Sequence, residues 1–259
     1  MSRSASRLAS LFASVAALGL NACGGGGGGS SSAAPPPPAP ASPAQGLWNG
    51  NTSSGRFVTA IVLDTGTYWV LYSVPSDQSI IAGVVEGTST ASGGTFSSAD
   101  GKDFNLEGSG ISNVTVSNGT YTAQQGLSGT INYTASSQTI IFATTYSGVY
   151  NLAPSLTELA GNYTGNAASP GSGFPNAPFN ITATGAVSGS IASQCSFTGT
   201  AAPHAAGNVY DLTINFSGAA CALGTITGVI YYDATTKRIN AAALNSGRTN
   251  GMIYVGTKP

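Results

Sequence analysis

Charge is what this 259-residue chain has least of: eight Lys and Arg and nine Asp and Glu make up 7% of it, against about 25% in ordinary soluble domains. So few scattered cations build no basic patch, which excludes a nucleic-acid partner gripped through its phosphates. Histidine occurs once and cysteine three times, so a zinc centre lacks ligands and no cofactor or metal is expected. Missing too are any stretch of ten or more residues with a helical period and any apolar run of the roughly 20 residues that a membrane-spanning helix needs. A formal net charge of only −1, with 11 Tyr and 2 Trp to bury, separates the chain from disordered sequences, which are highly charged and poor in aromatics. What remains is a folded, polar but uncharged, β-rich protein.

The amino terminus carries an address. Arg3 and Arg7 precede an apolar, small-residue stretch from Leu8 to Leu20, the pattern of a cleaved secretory segment. It ends in Leu20-Asn-Ala-Cys23, which resembles the lipobox of bacterial lipoproteins. That resemblance implies a signal peptide over 1–22, a diacylglyceryl thioether on Cys23 and a further acyl chain on its freed amino group. Two or three chains make a stable membrane anchor, where one binds marginally. Gly24 in place of an aspartate implies delivery to the outer membrane. An ordinary signal peptide ending near an incidental cysteine is the alternative.

Residues 23–45 read as a disordered tether, with Gly24 to Gly29 flexible and the Pro-rich run to Gln45 stiffer and extended. Loss of Arg3 and Arg7 with the signal leaves six cations against nine anions, a net charge of about −3, so attachment rests on acyl chains and not on docking to anionic lipid.

From Phe57 onward, short β-branched and aromatic runs alternate with Gly, Ser, Asn and Asp, as in an all-β fold. FVTAIVL (57–63) and YWVLYSV (68–74) flank a turn at Asp64-Thr-Gly66, and a meander continues to residue 150. In 208–218 the alternation is clean: Tyr210, Leu212, Ile214 and Phe216 share one face, Val209, Asp211, Thr213 and Asn215 the other, as in an antiparallel sheet with one wet face. Gly46-Leu-Trp48-Asn-Gly50 is echoed by Gly161-Asn-Tyr163-Thr-Gly165, and Gly126-Leu-Ser-Gly by Gly185-Ala-Val-Ser-Gly. Two similar antiparallel units follow, 46–152 and 153–259, each closing as a small β-barrel or half-barrel and so hiding its edges. A sandwich of the same size fits the pattern equally. The segment 152–159 between them carries the chain's best helical turn. With Cys23 acylated, Cys195 and Cys221 are left to pair in an exported protein, joining adjacent strands of the second unit.

The chemistry-bearing motifs are incomplete. Val62-Leu-Asp64-Thr-Gly66 resembles the Asp-Thr-Gly segment of aspartic proteases, but a second such triplet is absent and Asp-x-Gly between strands is an ordinary turn. His204 lies between strands with no nucleophile elbow in the chain, and reads as a loop histidine. Asp100, Asp103 and Glu107 form carboxylate pairs beside Lys102 on what reads as a polar hairpin, a weak match to a glycosidase. Trp48, Tyr68, Trp69, Tyr72, Tyr231 and Tyr232 include adjacent pairs, whose members point to opposite faces of a strand. Their outward rings offer a contact surface for an envelope polysaccharide or protein, or cap the barrel ends.

Lipobox, Gly-then-Pro tether, the Gly46-to-Gly50 opening, the Asp64-Thr-Gly-Thr-Tyr-Trp-Val-Leu-Tyr72 hairpin, Ser155-to-Tyr163, Cys195-Ser-Phe-Thr-Gly199 and Tyr231-Tyr-Asp-Ala-Thr-Thr236 together resemble proteobacterial outer-membrane lipoproteins, and more loosely the two-barrel surface lipoproteins. The resemblance implies location and architecture and brings no catalytic residues. A non-catalytic binding or envelope-structural module is the expectation, with a cell-envelope hydrolase, aspartic-type or glycan-directed, as the alternative.

Overall fold

The computed structural model describes residues 42–259 except 109, 193, 194, 219, 220 and 222. Nine strands come first: β1 (Gly46–Thr52), β2 (Phe57–Val62), β3 (Thr67–Val74), β4 (Asp77–Thr88), β5 (Thr90–Ser92), β6 (Thr95–Asn105), β7 (Gly110–Thr122), β8 (Gly126–Tyr133) and β9 (Thr139–Tyr146). A 3-10 turn (Gly148–Asn151) and a one-turn helix α1 (Leu156–Leu159) follow. Then come β10 (Gly161–Ser169), β11 (Ser172–Ile181), β12 (Ala186–Ala192), β13 (Cys195–Pro203), β14 (Tyr210–Ser217), β15 (Thr225–Asp233), β16 (Arg238–Leu244) and β17 (Gly251–Thr257). The first set runs β4-β3-β2-β1-β9-β8-β7-β6 and closes through β4–β6, with β5 outboard on β6; the second closes as β10 through β17. Both are antiparallel eight-strand barrels.

The glycine-aromatic echo marks how each barrel shuts. Trp48 and Tyr163 are fully buried on the first strand of their barrels. Each donates to a backbone carbonyl four residues earlier, Trp48 Nε1 to Ala44 at 3.2 Å and the Tyr163 hydroxyl to Leu159. Gly50 and Gly165 sit where first strand meets last: a Cβ would stand 2.1 Å from the Ala143 carbonyl oxygen in one case and 2.0 Å from that of Val255 in the other. The second echo has no such meaning, because Gly126 opens the seventh strand of its barrel and Ala186 the third.

Alternation holds on β14, whose Tyr210, Leu212 and Ile214 enter the second barrel's core with Phe216 packed against it. Tyr163, Phe179, Phe197, Tyr232 and Tyr254 fill that core. One end is covered by Leu156 and Leu159 of α1, whose Ser155 cap accepts from the Glu158 amide, and by Lys258, with Nζ 4.8 Å from the Tyr232 ring centre. Toward the other end Phe174, Ile191, Phe216 and Leu223 pack on the core. There Cys195 and Cys221 form a disulfide. Cys221 lies in the loop after β14 and not on a strand, so the bridge ties the start of β13 to that loop.

A third apolar cluster joins the barrels. Leu47, Ile61, Leu63, Trp69, Leu71, Val84 and Phe104 of the first pack with Val209, Val229, Ala242, Leu244 and Ile253 of the second, around Tyr150. The faces expected to be wet are here turned on one another. Arg248 from the β16–β17 hairpin reaches across to Glu86 at 2.6 Å and to the backbone oxygen of Asp100 at 2.7 Å.

Candidate functional site

The first barrel is filled at one end and open at the other. Trp48, Tyr68 and Phe96 occupy the filled end, where the Tyr68 hydroxyl donates to Ser98 at 2.9 Å and burial pushes its pKa up to about 12. The opposite end is a cavity of about 340 Å³. Its lower wall is Val58, Val70, Val85 and Ile131. These residues also line a small, wholly apolar hollow of about 40 Å³ that reaches Tyr68, Phe96 and Leu127.

Polar groups ring the upper wall. Asp103, only 2% exposed, accepts the Tyr72 hydroxyl on one oxygen and the Tyr133 hydroxyl on the other, both at 2.7 Å. Burial raises the Asp103 pKa against the pull of those hydroxyls and of the Arg56 charge. Burial, then the neighbouring carboxylate, raises both tyrosines. Asn105 Nδ2 donates to the Tyr72 hydroxyl at 3.2 Å. Arg56, from the β1–β2 turn, pairs with Glu107 at 2.7 Å, donates to the Ser73 carbonyl at 2.8 Å and lies 5.4 Å from the Tyr72 ring centre.

Local backbone features aim these groups. On β6 the register with β7 slips between Ser98 and Gly101, adding one residue to β6. Such a bulge resets the alternation. Phe96 and Ser98 point inward before it, and Asp103 after it, opposite inward Val85; Phe104, opposite Val84, goes to the seam between barrels. A Cβ at Gly83 would stand 2.2 Å from the Tyr72 hydroxyl, so glycine leaves the space through which that hydroxyl reaches Asp103.

Several expectations need correction. Trp48, Tyr68, Trp69, Tyr72 and Tyr232 are buried and Tyr231 is half-buried, so the six rings do not form an outward-facing patch; of them Tyr72 lines the cavity mouth and Tyr68 the hollow below it. Adjacent rings do alternate: Tyr68 enters the first barrel and Tyr232 the second, while Trp69 and Tyr231 leave their barrels only to meet the seam. Asp103 is not on a polar hairpin, and Asp100 is separated from it by the bulge, facing Arg248 instead. Glu107 and Asp103 both line the mouth.

Asp64 occupies the expected β2–β3 turn, with Gly66 at φ 86°, and His204, which reads from the sequence as a loop histidine, lies against it. His204 Nε2 lies 3.0 Å from Asp64 and Nδ1 lies 2.7 Å from Asp211, so one imidazole bridges the barrels between two carboxylates. Desolvation works to lower the His204 pKa, but the hydrogen bonds and charges of Asp64 and Asp211 outweigh it and the pKa is raised. With both ring nitrogens engaged by carboxylates, none is free to activate a nucleophile, and the two aspartates lie on opposite sides of the ring instead of sharing a proton.

Cys23, with the signal and most of the tether, lies outside the described residues. Among the described residues no group of three or more His, Cys, Asp or Glu is placed to hold a metal, and no helix is long and apolar enough to cross a membrane.

No family model and no curated protein matches the chain. Among solved structures it is similar to a candidate outer membrane protein from Bacteroides fragilis, at 13% identity over 83% of this chain and 96% of that one, with a TM-score of 0.24. It is also similar to a mutant of the vaccine antigen transferrin binding protein B from Haemophilus parasuis, at 10% identity over 80% and 66% of the two chains, with a TM-score of 0.28. An intact transferrin binding protein B with its N and C lobes gives 8% identity, 78% and 66% coverage and a TM-score of 0.27.

Proposed function

We propose that this chain is a non-catalytic binding module, anchored in the outer membrane through acylated Cys23, and that its first barrel is the receptacle for a small amphipathic molecule. On this reading residues 23–45 are the tether and 46–152 and 153–259 the two units it carries. The observation that carries the receptacle is the contrast between two barrels of equal strand number. One is packed with aromatic rings from end to end, and the other keeps an opening of about 340 Å³ with hydrogen-bonding groups above an apolar floor. That volume is within the range of small-molecule pockets, and a few placed polar groups over apolar walls is their usual chemistry. Its polar groups engage one another, as suits recognition more than turnover.

Two measurements test the proposal. Mass spectrometry of the membrane fraction should find the mature amino terminus at Cys23 with acyl chains; a soluble product beginning elsewhere refutes the anchor. For the receptacle, the full chain with Cys23→Ala keeps every residue of the described body and is free of acyl chains. It should give a saturable, one-to-one rise in fluorescence with the neutral apolar probe N-phenyl-1-naphthylamine, abolished by Val85→Trp in the cavity wall and kept by Ile141→Ala on the surface. An unsaturable signal, or one indifferent to Val85→Trp, refutes the receptacle.

A further inference from the structure

We infer that the open mouth of the first barrel selects a cationic head group: its ligand is a singly charged amphiphilic amine, with the ammonium on the Asp103 carboxylate and the apolar part directed into the barrel. This rests on the receptacle reading and names the ligand class for it.

The charged residues lining the mouth are Arg56, Asp103 and Glu107, one cation against two carboxylates. The cation is already committed. Arg56 holds Glu107 at 2.7 Å and the Ser73 carbonyl at 2.8 Å and covers a face of Tyr72. An incoming anion would have to strip those partners away and then sit beside both carboxylates. Asp103 is in the opposite position. Each of its oxygens accepts one phenolic hydrogen, and an ionised carboxylate has about four acceptor positions, so a donor that enters the cavity and parts the two hydroxyls over this 2%-exposed group meets unused acceptor capacity. A buried carboxylate whose direct partners are neutral hydroxyls, with the nearby Arg56 charge shared with Glu107, is under-compensated, and a cation in contact with it supplies what the fold leaves out. The Tyr133 ring also lines the mouth, and it is the faces of such rings that attract ammonium groups.

The second half of the ligand follows from an independent feature, the shape below the carboxylate. Val58, Val70, Val85 and Ile131 form the walls directly under the polar ring and are shared with the apolar hollow beyond. An alkyl chain leaving the ammonium in that direction meets only hydrocarbon, whereas a second charge or a sugar ring there would be left without partners.

Isothermal titration of the Cys23→Ala chain at pH 7 with octylamine, octanoate and 1-octanol separates the possibilities, since the three share a tail and differ in head group. Octylamine should bind at least about tenfold more tightly than either of the others, about 1.4 kcal/mol. Asp103→Asn keeps the side-chain volume and should close that gap to within about threefold. Should Asp103→Asn fail to give the wild-type circular dichroism spectrum, Glu107→Gln serves in its place: it frees Arg56 to approach Asp103 and should also weaken octylamine selectively. Octanoate or octanol binding as tightly as octylamine overturns the cationic preference and leaves the receptacle standing. A preference for octylamine untouched by the carboxylate variants overturns Asp103 as its seat. Failure of all three to bind overturns the receptacle itself, and this inference with it.

Discussion

Trp69→Ala tests whether the two barrels share one core. The ring is 5% exposed, on the outer face of β3, in the cluster that holds Val229, Leu244 and Ile253 of the other barrel. Removing a buried tryptophan costs about 3–5 kcal/mol, from lost transfer energy and the cavity left behind. Here the cavity also opens beside an ion pair, since Trp69 lies opposite Glu86, the partner of Arg248 at 2.6 Å. Water entering it raises the local dielectric and weakens that attraction. Urea unfolding followed by circular dichroism should therefore show a loss of about 3–5 kcal/mol, with Ile141→Ala, at 59% exposure, within about 0.5 kcal/mol of wild type. The distinctive outcome is spatial: amide exchange should quicken in β15 and β16, although the substituted residue belongs to β3. A loss below about 1 kcal/mol, or faster exchange confined to β1–β4, would refute the shared core.

Two more outcomes follow. The disulfide spans a separation of 26 residues, so reduction should cost about 3–4 kcal/mol on the loop-entropy estimate and lower Tm by about 6–16 °C, with exchange rising first in β13 and β14; an unchanged melt in reductant would show that the bridge adds nothing. The raised His204 pKa means that its stabilisation is complete below the free imidazole value of about 6.5 and is lost as pH rises through the higher folded value. Stability should then decline on going upward from about pH 6.5, and His204→Ala should flatten that decline; the same slope in the variant would assign it elsewhere.

The sequence makes strands and their faces legible where alternation is unbroken, as on β14, and it makes the two units legible through the echo at Gly50 and Gly165, where a Cβ would stand about 2 Å from a carbonyl oxygen of the last strand and no side chain fits. It hides the functional mouth for a definite reason. Counting by twos from Phe96 puts Phe104 inside and Asp103 in water; the extra residue between Ser98 and Gly101 inverts that, and the polar run Ser-Ala-Asp-Gly that accommodates it reads as a turn. The seam is hidden differently. Alternation correctly sends Trp69 and Tyr231 out of their barrels, but nothing local says that the outside of one barrel is the inside of the pair. For the same reason His204 reads as idle: its partner Asp64 is 140 residues away.

These two misreadings concern one physical arrangement. A barrel that keeps about 340 Å³ open gives up the dispersion contacts and apolar burial that rings across its mouth would supply. The second barrel makes the opposite choice, with Tyr163, Phe179, Phe197, Tyr210, Tyr232 and Tyr254 inside. What the first barrel lacks within, it recovers outside, where Leu47, Ile61, Trp69, Leu71, Val84 and Phe104 are all buried to 5% exposure or less. Burying each large side chain of that seam contributes about 1.5–3 kcal/mol, enough in sum to hold an open barrel closed around its circumference. The filled barrel thus serves as a buttress, and the bulge on β6 links the two roles, since the same inserted residue that turns Asp103 into the cavity turns Phe104 into the seam.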